Sequence, residues 1–132
     1  MASVWTELVI DCREPRGLAD FWCAVLEYTH LEEDQDGDVL ISDVRRTPEE
    51  RRAGGHPPLL FFIRVPDGPK KVKNRLHLDL TPTDRPMAAE VERVLALGAA
   101  RVDIGQGEQR GWTVLADPEG NEFCVLRGAA DQ

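Results

Sequence analysis

The pattern of apolar and polar residues divides the first half of the chain into short strands and one helix. Leu8, Val9 and Ile10 lie in a segment rich in β-forming residues, and the later run LLFFIRV is typical of a buried strand. Between them, apolar residues recur at helical spacing after Pro15, a residue that suits the first turn of a helix. Asp36-Gly37 is a strong hairpin signal. The pattern therefore predicts the order β-α-β-β-β, with strands at 4–11, 28–34, 38–44 and 59–65.

The second half shows the same order of elements. In residues 75–81 leucines alternate with polar residues, so His77 and Asp79 share one face of a strand. A helix follows, with Asp84 as its expected N-cap and Gly98 at its end. The remaining strands are predicted near 100–104, 111–116 and 121–127.

The two halves align with each other as an internal repeat. A single shift along the chain places Thr6 on His77 and Leu26-Glu27 on Leu97-Gly98 without a gap. We therefore expect an α+β fold made of two tandem β-α-β-β-β modules whose curved mixed sheets form a cavity. Module one covers residues 1–66, a linker covers 67–74, and module two covers 75–128. The sheet face that no helix covers is the expected place for a ligand.

Three polar segments are predicted to lie outside the regular elements. Residues 45–58 contain charges, Gly-Gly and Pro-Pro and are expected to be a loop. The Gly-rich segment 105–111 is expected to be a lid at the mouth of the cavity. Lys70, Lys71 and Lys73 belong to the linker and are expected to be solvated.

Charge and composition exclude several classes of partner. The net charge of −8 argues against nucleic acid or an anionic membrane, because phosphate binding needs clustered Lys and Arg. No apolar run reaches the roughly 20 residues that cross a bilayer, and no signal-peptide pattern opens the sequence, so a cytoplasmic protein is expected. Cys12, Cys23 and Cys124 lack metal-site or disulfide spacing, and two of them lie in apolar runs, as small buried hydrophobic residues do. Open strand edges favour a homodimer.

Two segments carry a resemblance to a known family. NRLHLDL at 74–80 and WTVLADPEGNEFCVL at 112–126, together with the paired modules, resemble the glyoxalase/bleomycin-resistance/extradiol-dioxygenase superfamily, also called vicinal oxygen chelate proteins. The resemblance implies a glyoxalase-like fold and a divalent metal held by one ligand from the first and one from the last strand of each module. His77 and Glu122 match the two ligands of module two.

Module one departs from the family pattern at both ligand positions. Thr6 stands where a His or Gln is expected, and Leu60 or Phe62, depending on the register, stands where a Glu is expected. A catalytic ion usually keeps at least three protein ligands, and His56 in the loop is the only obvious replacement donor. We therefore expect the purified protein to hold no stoichiometric transition metal, although a divalent metal is the alternative.

These observations favour a protein that binds a small organic molecule in its cavity. The alternative is a metal-dependent lyase, isomerase or dioxygenase whose site is completed by a loop or a second chain. A non-catalytic interaction module is the third interpretation, for the case of a cavity filled by its own side chains. No catalytic residue can be assigned from the pattern.

Four further residues complete the candidate ligand-binding set of His77 and Glu122. Asp79 could orient the imidazole of His77 or act as a base, and it could equally be solvated at the rim. Arg64, on the face of Phe62, could clamp a carboxylate or phosphate, or lie on the surface at a strand end. Trp112 could stack on a flat ligand or pack against the sheet.

Overall fold

The computed structural model describes residues 2–103, 105 and 111–132, which form eight strands and three α-helices. The elements in chain order are β1 (Glu7–Cys12), α1 (Pro15–Leu26), β2 (His30–Glu33), β3 (Val39–Ser42), α2 (Pro48–Ala53), β4 (Leu59–Arg64), β5 (Leu78–Leu80), α3 (Met87–Leu97), β6 (Ala100–Arg101), β7 (Trp112–Ala116) and β8 (Glu122–Leu126). A single 3₁₀ turn at Ala129–Asp131 follows β8. The chain divides into two compact units, one ending at Gly68 and the other beginning at Pro69.

Each unit contains one four-stranded mixed sheet, and the two sheets have the same topology. The strand order is β1-β4-β3-β2 in the first unit and β5-β8-β7-β6 in the second. In both sheets the first and last strands of the unit are parallel neighbours, and the other pairs are antiparallel. The predicted fold class, α+β with two β-α-β-β-β modules, is therefore confirmed.

The first unit is built around helix α1, which packs against β3 and β4. The helix begins at Pro15, as predicted, and ends where Glu27 adopts a left-handed conformation with φ of 56°. Phe21 and Trp22 meet edge to face at 5.2 Å between ring centroids. Of the apolar stripe predicted from the sequence, Leu18, Phe21, Trp22 and Val25 are buried, together with Ala19, whereas Leu26 is half-buried.

In the second unit, helix α3 contacts β8 and buries a smaller face, at Val91 and Val94. The prediction of Asp84 as its N-cap is wrong, because the helix starts after Pro86 and the Met87 N–H donates to the Asp131 carboxylate at 3.0 Å. A carboxylate from the C-terminal turn thus takes over the role of a local cap.

Three local elements differ from the prediction. Segment 45–58 contains helix α2, because Thr47 and Glu50 form a capping box around its first turn. β5 is shorter than the predicted 75–81 and begins at Leu78, so Leu76 is 83% exposed instead of sharing the inner face.

The third difference is β6, which covers only Ala100–Arg101 of the predicted 100–104. The lid predicted at 105–111 lies mostly outside the described residues. Among the helices of the described part of the chain, none has both the length and the apolar content to cross a membrane.

Candidate functional site

The second sheet carries a pocket of about 320 Å³. Its floor comes from the first and last strands of the unit, and its wall from β7 and the end of β8. The lining residues are Lys73, His77, Asp79, Trp112, Val114, Glu122, Cys124 and Leu126. The structure therefore brings together four of the six residues proposed from the sequence.

Four side chains that carry ionisable or metal-binding groups form the floor of the pocket. They belong to the parallel strands β5 and β8 and to the residue before β5: His77, Asp79, Glu122 and Cys124. β5 and β8 pair with Leu78 opposite Phe123 and Asp79 opposite Cys124. Register partners lie side by side on the same face of the sheet, so Asp79 and Cys124 are neighbours. Residues two apart in a strand point to the same face, so His77 and Glu122 share it. His77 precedes β5 by one residue, and Glu122 is the first residue of β8.

A tight turn before β8 fixes the position of Glu122. The Asp117 carboxylate accepts hydrogen bonds from the backbone N–H groups of Glu119 and Asn121 and from the Asn121 side chain. Gly120, at φ of 89°, supplies the left-handed residue that this turn requires. The Asn121 side-chain oxygen in turn accepts from the side chain of Asn74 at 3.2 Å. The turn thereby joins the start of β8 to the segment before β5.

The Glu122 carboxylate is neutralised from within the chain. Lys70 Nζ donates to Oε1 at 2.9 Å, and the Asn74 N–H donates to Oε2 at 3.3 Å. Burial by itself would raise the pKa of Glu122, but the Lys70 hydrogen bond, with backbone N–H donors, outweighs it and holds the pKa below its ordinary value. Glu122 is therefore an anion whose countercharge is an ammonium group.

Beside this ion pair, His77, Asp79 and Cys124 form a cluster of three donor groups. One nitrogen, one oxygen and one sulfur atom lie within 4.8 Å of one another. His77 Nδ1 is 3.2 Å from Asp79 Oδ1. Burial, followed by the negative charge of Asp79 and a hydrogen bond to it, raises the pKa of the Cys124 thiol. The thiol is therefore protonated at neutral pH.

The remaining walls of the pocket are apolar with one cation. Trp112 is 41% exposed, and Val114 and Leu126 lie on the neighbouring strands. Lys73 lies at the pocket with its ammonium group 3.0 Å from the Asn74 carbonyl oxygen. An exposed indole and an ammonium group in the lining of one pocket offer both a stacking surface and a countercharge for an anion.

The two first-unit residues of the predicted ligand-binding set do not line this pocket. Phe62 is completely buried, so it belongs to the core, because the inner face of β4 packs beneath α1. Arg64 is exposed at the end of β4, and its guanidinium donates to the Arg13 carbonyl at 3.2 Å.

His56, the candidate for a replacement donor, is also in the first unit. Its two ring nitrogens lie 2.8 and 3.2 Å from the backbone carbonyl oxygens of Pro57 and Arg51. The two ring nitrogens thus face backbone oxygens of helix α2 and of the loop that follows it.

The strand register corrects the assignment of Leu60 or Phe62 as the counterpart of Glu122. Leu59 pairs with the first residue of β1, as Phe123 pairs with the first residue of β5. The counterpart of Glu122 is thus Pro58, one residue before Leu59. Leu60 is instead the counterpart of Cys124.

Sequence reasoning missed four lining residues of the pocket, namely Lys73, Val114, Cys124 and Leu126, and also Lys70, which pairs with Glu122. Cys124 could have been found, since it stands two positions after Glu122 in a strand and shares its face. The lysines had no such signal, because nothing in the linker composition shows which ammonium group turns back onto β8.

Comparison with known proteins gives one family and several structural relatives. The family model described as glyoxalase-like domain matches residues 7–126. A glyoxalase/bleomycin resistance protein/dioxygenase family enzyme from Burkholderia phytofirmans has a TM-score of 0.59 at 15% identity, covering 93% of this chain and 97% of that one.

Two fosfomycin resistance proteins are also similar in structure. A mutant of FosX from Listeria monocytogenes, complexed with Mn(II) and 1S,2S-dihydroxypropylphosphonic acid, has a TM-score of 0.64 at 14% identity over 98% of this chain and 93% of that one. FosX from Mesorhizobium loti has a TM-score of 0.63 at 13% identity, covering 98% and 95%. No curated protein sequence matches the chain. At these identities the structural relatives show the fold alone.

Proposed function

The chain belongs to the family of glyoxalase-like domains, and from that premise we propose that it binds a small organic molecule in the pocket of its second unit, without the four-ligand metal centre that the resemblance implies. The observation that carries the proposal is the ion pair of Lys70 with Glu122 at 2.9 Å. A carboxylate that the family would present to a metal is here paired with an ammonium group.

The donor set of this chain does not fit that metal centre. In the first unit, the two counterpart positions hold Thr6 and Pro58, of which only the threonine hydroxyl is a donor, and a weak one. In the second unit, both Glu122 oxygens already accept hydrogen bonds. His77 then remains as the single uncommitted family ligand, and a catalytic ion needs about three.

The pocket walls indicate the class of molecule. Trp112, Val114 and Leu126 provide an apolar surface on one side, and Lys73 provides a positive charge at the edge. His77 and Asp79 add a hydrogen-bonding pair on the floor. We expect a flat, partly aromatic molecule with an anionic or strongly polar substituent, since such pockets bind through apolar contact and orient through a few polar groups.

The tryptophan side chains allow a direct test by NMR. Small aromatic carboxylates would be titrated into protein labelled with ¹⁵N, and the indole N–H signals followed. Trp112 lines the pocket, and Trp5 is 64% exposed in the other unit with its indole donating to the Glu7 carbonyl. We expect saturable shifts of the Trp112 signal and an unmoved Trp5 signal. Trp5 is the control, because a ligand that stacks non-specifically on exposed rings would shift its signal as well.

Two variants make the same test more specific. Lys73→Met is expected to weaken the binding of carboxylates more than that of neutral analogues, and Trp112→Ala to weaken both. Binding to Trp112→Ala is followed at the backbone N–H signals of Val114 and Cys124, because that variant lacks the indole reporter. Equal shifts of Trp5 and Trp112, or titrations unchanged in Trp112→Ala, would contradict the proposal.

A metal-dependent lyase, isomerase or dioxygenase is the second candidate. It is favoured by the cluster of His77, Asp79 and Cys124, three side chains of metal-binding type within 4.8 Å. Among the structural neighbours, the Listeria FosX was determined with Mn(II). Turnover that a chelator abolishes and a divalent ion restores would separate this candidate from a binding protein, because a bound ion alone does not distinguish the two.

A further inference from the structure

The structure presents three metal-binding side chains that differ from the set implied by the family. His77 and Asp79 stand two residues apart at the start of β5, and Cys124 is the register partner of Asp79 on β8. Neighbouring parallel strands lie about 4.8 Å apart, so side chains on register partners can reach one ion without movement of the backbone.

The distances suit a tetrahedral ion. In zinc sites the metal–nitrogen and metal–oxygen bonds are about 2.0–2.2 Å and the metal–sulfur bond about 2.3 Å, which places the ligand atoms about 3.3–3.6 Å from one another. His77 Nδ1 and Asp79 Oδ1 are already 3.2 Å apart. The largest separation in the cluster is 4.8 Å or less, so a small rotation of the Cys124 side chain closes the set.

The chemistry of the three donors selects the ion. Sulfur and imidazole ligands favour zinc and related borderline metals, whereas Mn²⁺ and Mg²⁺ prefer oxygen ligands. We propose that His77, Asp79 and Cys124 form a three-ligand site for a divalent ion of the zinc class, open toward the pocket. Cys124 binds the ion as a thiolate, and its proton is released to solvent on binding. The ligands counted from the sequence were His77 and Glu122. The proposed site keeps His77, uses Cys124 in place of Glu122 and adds Asp79, which gives three ligands.

Accessibility supports the same assignment. The side chains of His77 and Asp79 are 40% and 50% exposed, so an ion reaches them from solvent. Cys124 is buried and lines the pocket, so it contributes the ligand on the side away from solvent. The fourth position faces the volume bounded by Trp112 and Val114, where a water molecule or a ligand atom would complete the coordination.

The ion pair of Lys70 and Glu122 separates this site from the family centre. Glu122 shares the β8 face with Cys124, but both of its oxygens are engaged by Lys70 and Asn74. The proposed site therefore uses the thiol two residues further along β8 in place of the glutamate. The site borders the pocket proposed for the small molecule. Metal binding and small-molecule binding are measured separately, so either proposal can fail while the other stands.

Cobalt and zinc titrations of the full chain, freed of metal by a chelator, test the site. Co²⁺ gives a thiolate-to-metal charge-transfer band only when sulfur is a ligand, and Zn²⁺ affinity follows from competition with a chromophoric chelator. We expect one equivalent of each ion, with the charge-transfer band present. Cys124→Ser should abolish the band and weaken Zn²⁺ binding by at least about 100-fold, since loss of a mere supporting partner costs about 10–100-fold.

Two matched controls decide between the sites. Cys23→Ser changes a cysteine of the first unit outside the cluster and should leave the band and the affinity unchanged. Glu122→Gln should also leave them unchanged. His77→Thr introduces the residue type of the first-unit counterpart, Thr6, at an exposed position. It gives a second test of the site if Cys124→Ser fails to fold. The proposal is overturned if no ion binds, if the band survives in Cys124→Ser, or if Glu122→Gln removes the ion.

Discussion

The two sheets have one topology but use the equivalent positions for different purposes. Four positions, on the first and last strands or one residue before them, carry His77, Asp79, Glu122 and Cys124 in the second unit. Their counterparts in the first unit, related by the strand register, are Thr6, Leu8, Pro58 and Leu60. One set offers a nitrogen, two carboxylates and a thiol, and the other offers a single hydroxyl.

The difference follows the way each unit is packed. In the first unit, Leu60 is 2% exposed and belongs to a core that includes five buried residues of α1. In the second unit, α3 buries only Val91 and Val94, and Cys124 at 7% exposed lines a pocket. The same backbone thus supports apolar packing in one unit and polar chemistry in the other, because strand register sets position while side-chain type sets function.

The largest expected effect tests this division directly through a pair of counterparts. Leu60→Ala should lower the free energy of unfolding by about 2–5 kcal/mol, because it leaves a cavity in a fully packed core. Cys124→Ala removes one sulfur atom that already borders a pocket, and should cost less than about 1 kcal/mol. Urea denaturation of both variants measures the difference. Equal losses would show that the second sheet depends on its pocket floor as much as the first depends on its core.

An intermediate effect is expected at the ion pair that exists only in the second unit. Glu122→Gln and Lys70→Met should each destabilise the protein by about 1–3 kcal/mol, because each leaves a partly buried charged group without its partner. The double variant should cost less than the sum of the two single changes, and the double-mutant cycle gives the coupling energy. Additive losses would mean that the 2.9 Å contact contributes no coupling in solution.

The smallest effect is a pH dependence with a defined sign. The folded-state pKa of Glu122 lies below its ordinary value, so its contribution to stability is present above the ordinary carboxyl range. That contribution is lost as the pH falls through the folded-state pKa. Urea midpoints measured from about pH 6 to about pH 3 should therefore fall less steeply in Glu122→Gln than in the unchanged protein. Identical slopes would remove Glu122 from the groups that set acid stability.

The sequence predicted the architecture because its main signals are local or periodic. Helical spacing after Pro15 predicted the buried stripe of α1. The internal repeat by itself identified Thr6 as the first-unit equivalent of His77. Alternation in 75–81 correctly put His77 and Asp79 on one face, although Leu76 lies outside the strand. The capping box at Thr47 was also readable, but the Gly and Pro residues around it favoured a loop.

The contents of the site depended on contacts that no local pattern contains. The pairing of Asp79 with Cys124 is a register between strands more than forty residues apart, and only the folded sheet defines it. The same is true of Lys70. The composition of its linker indicated a solvated charge, but its ammonium group forms an ion pair with the Glu122 carboxylate. By itself the sequence determined the repeated sheets and the strands that carry polar side chains. Tertiary structure alone decided which of those side chains are paired with each other and which remain available, because a charge or a donor group is committed by its spatial neighbours and not by its neighbours along the chain.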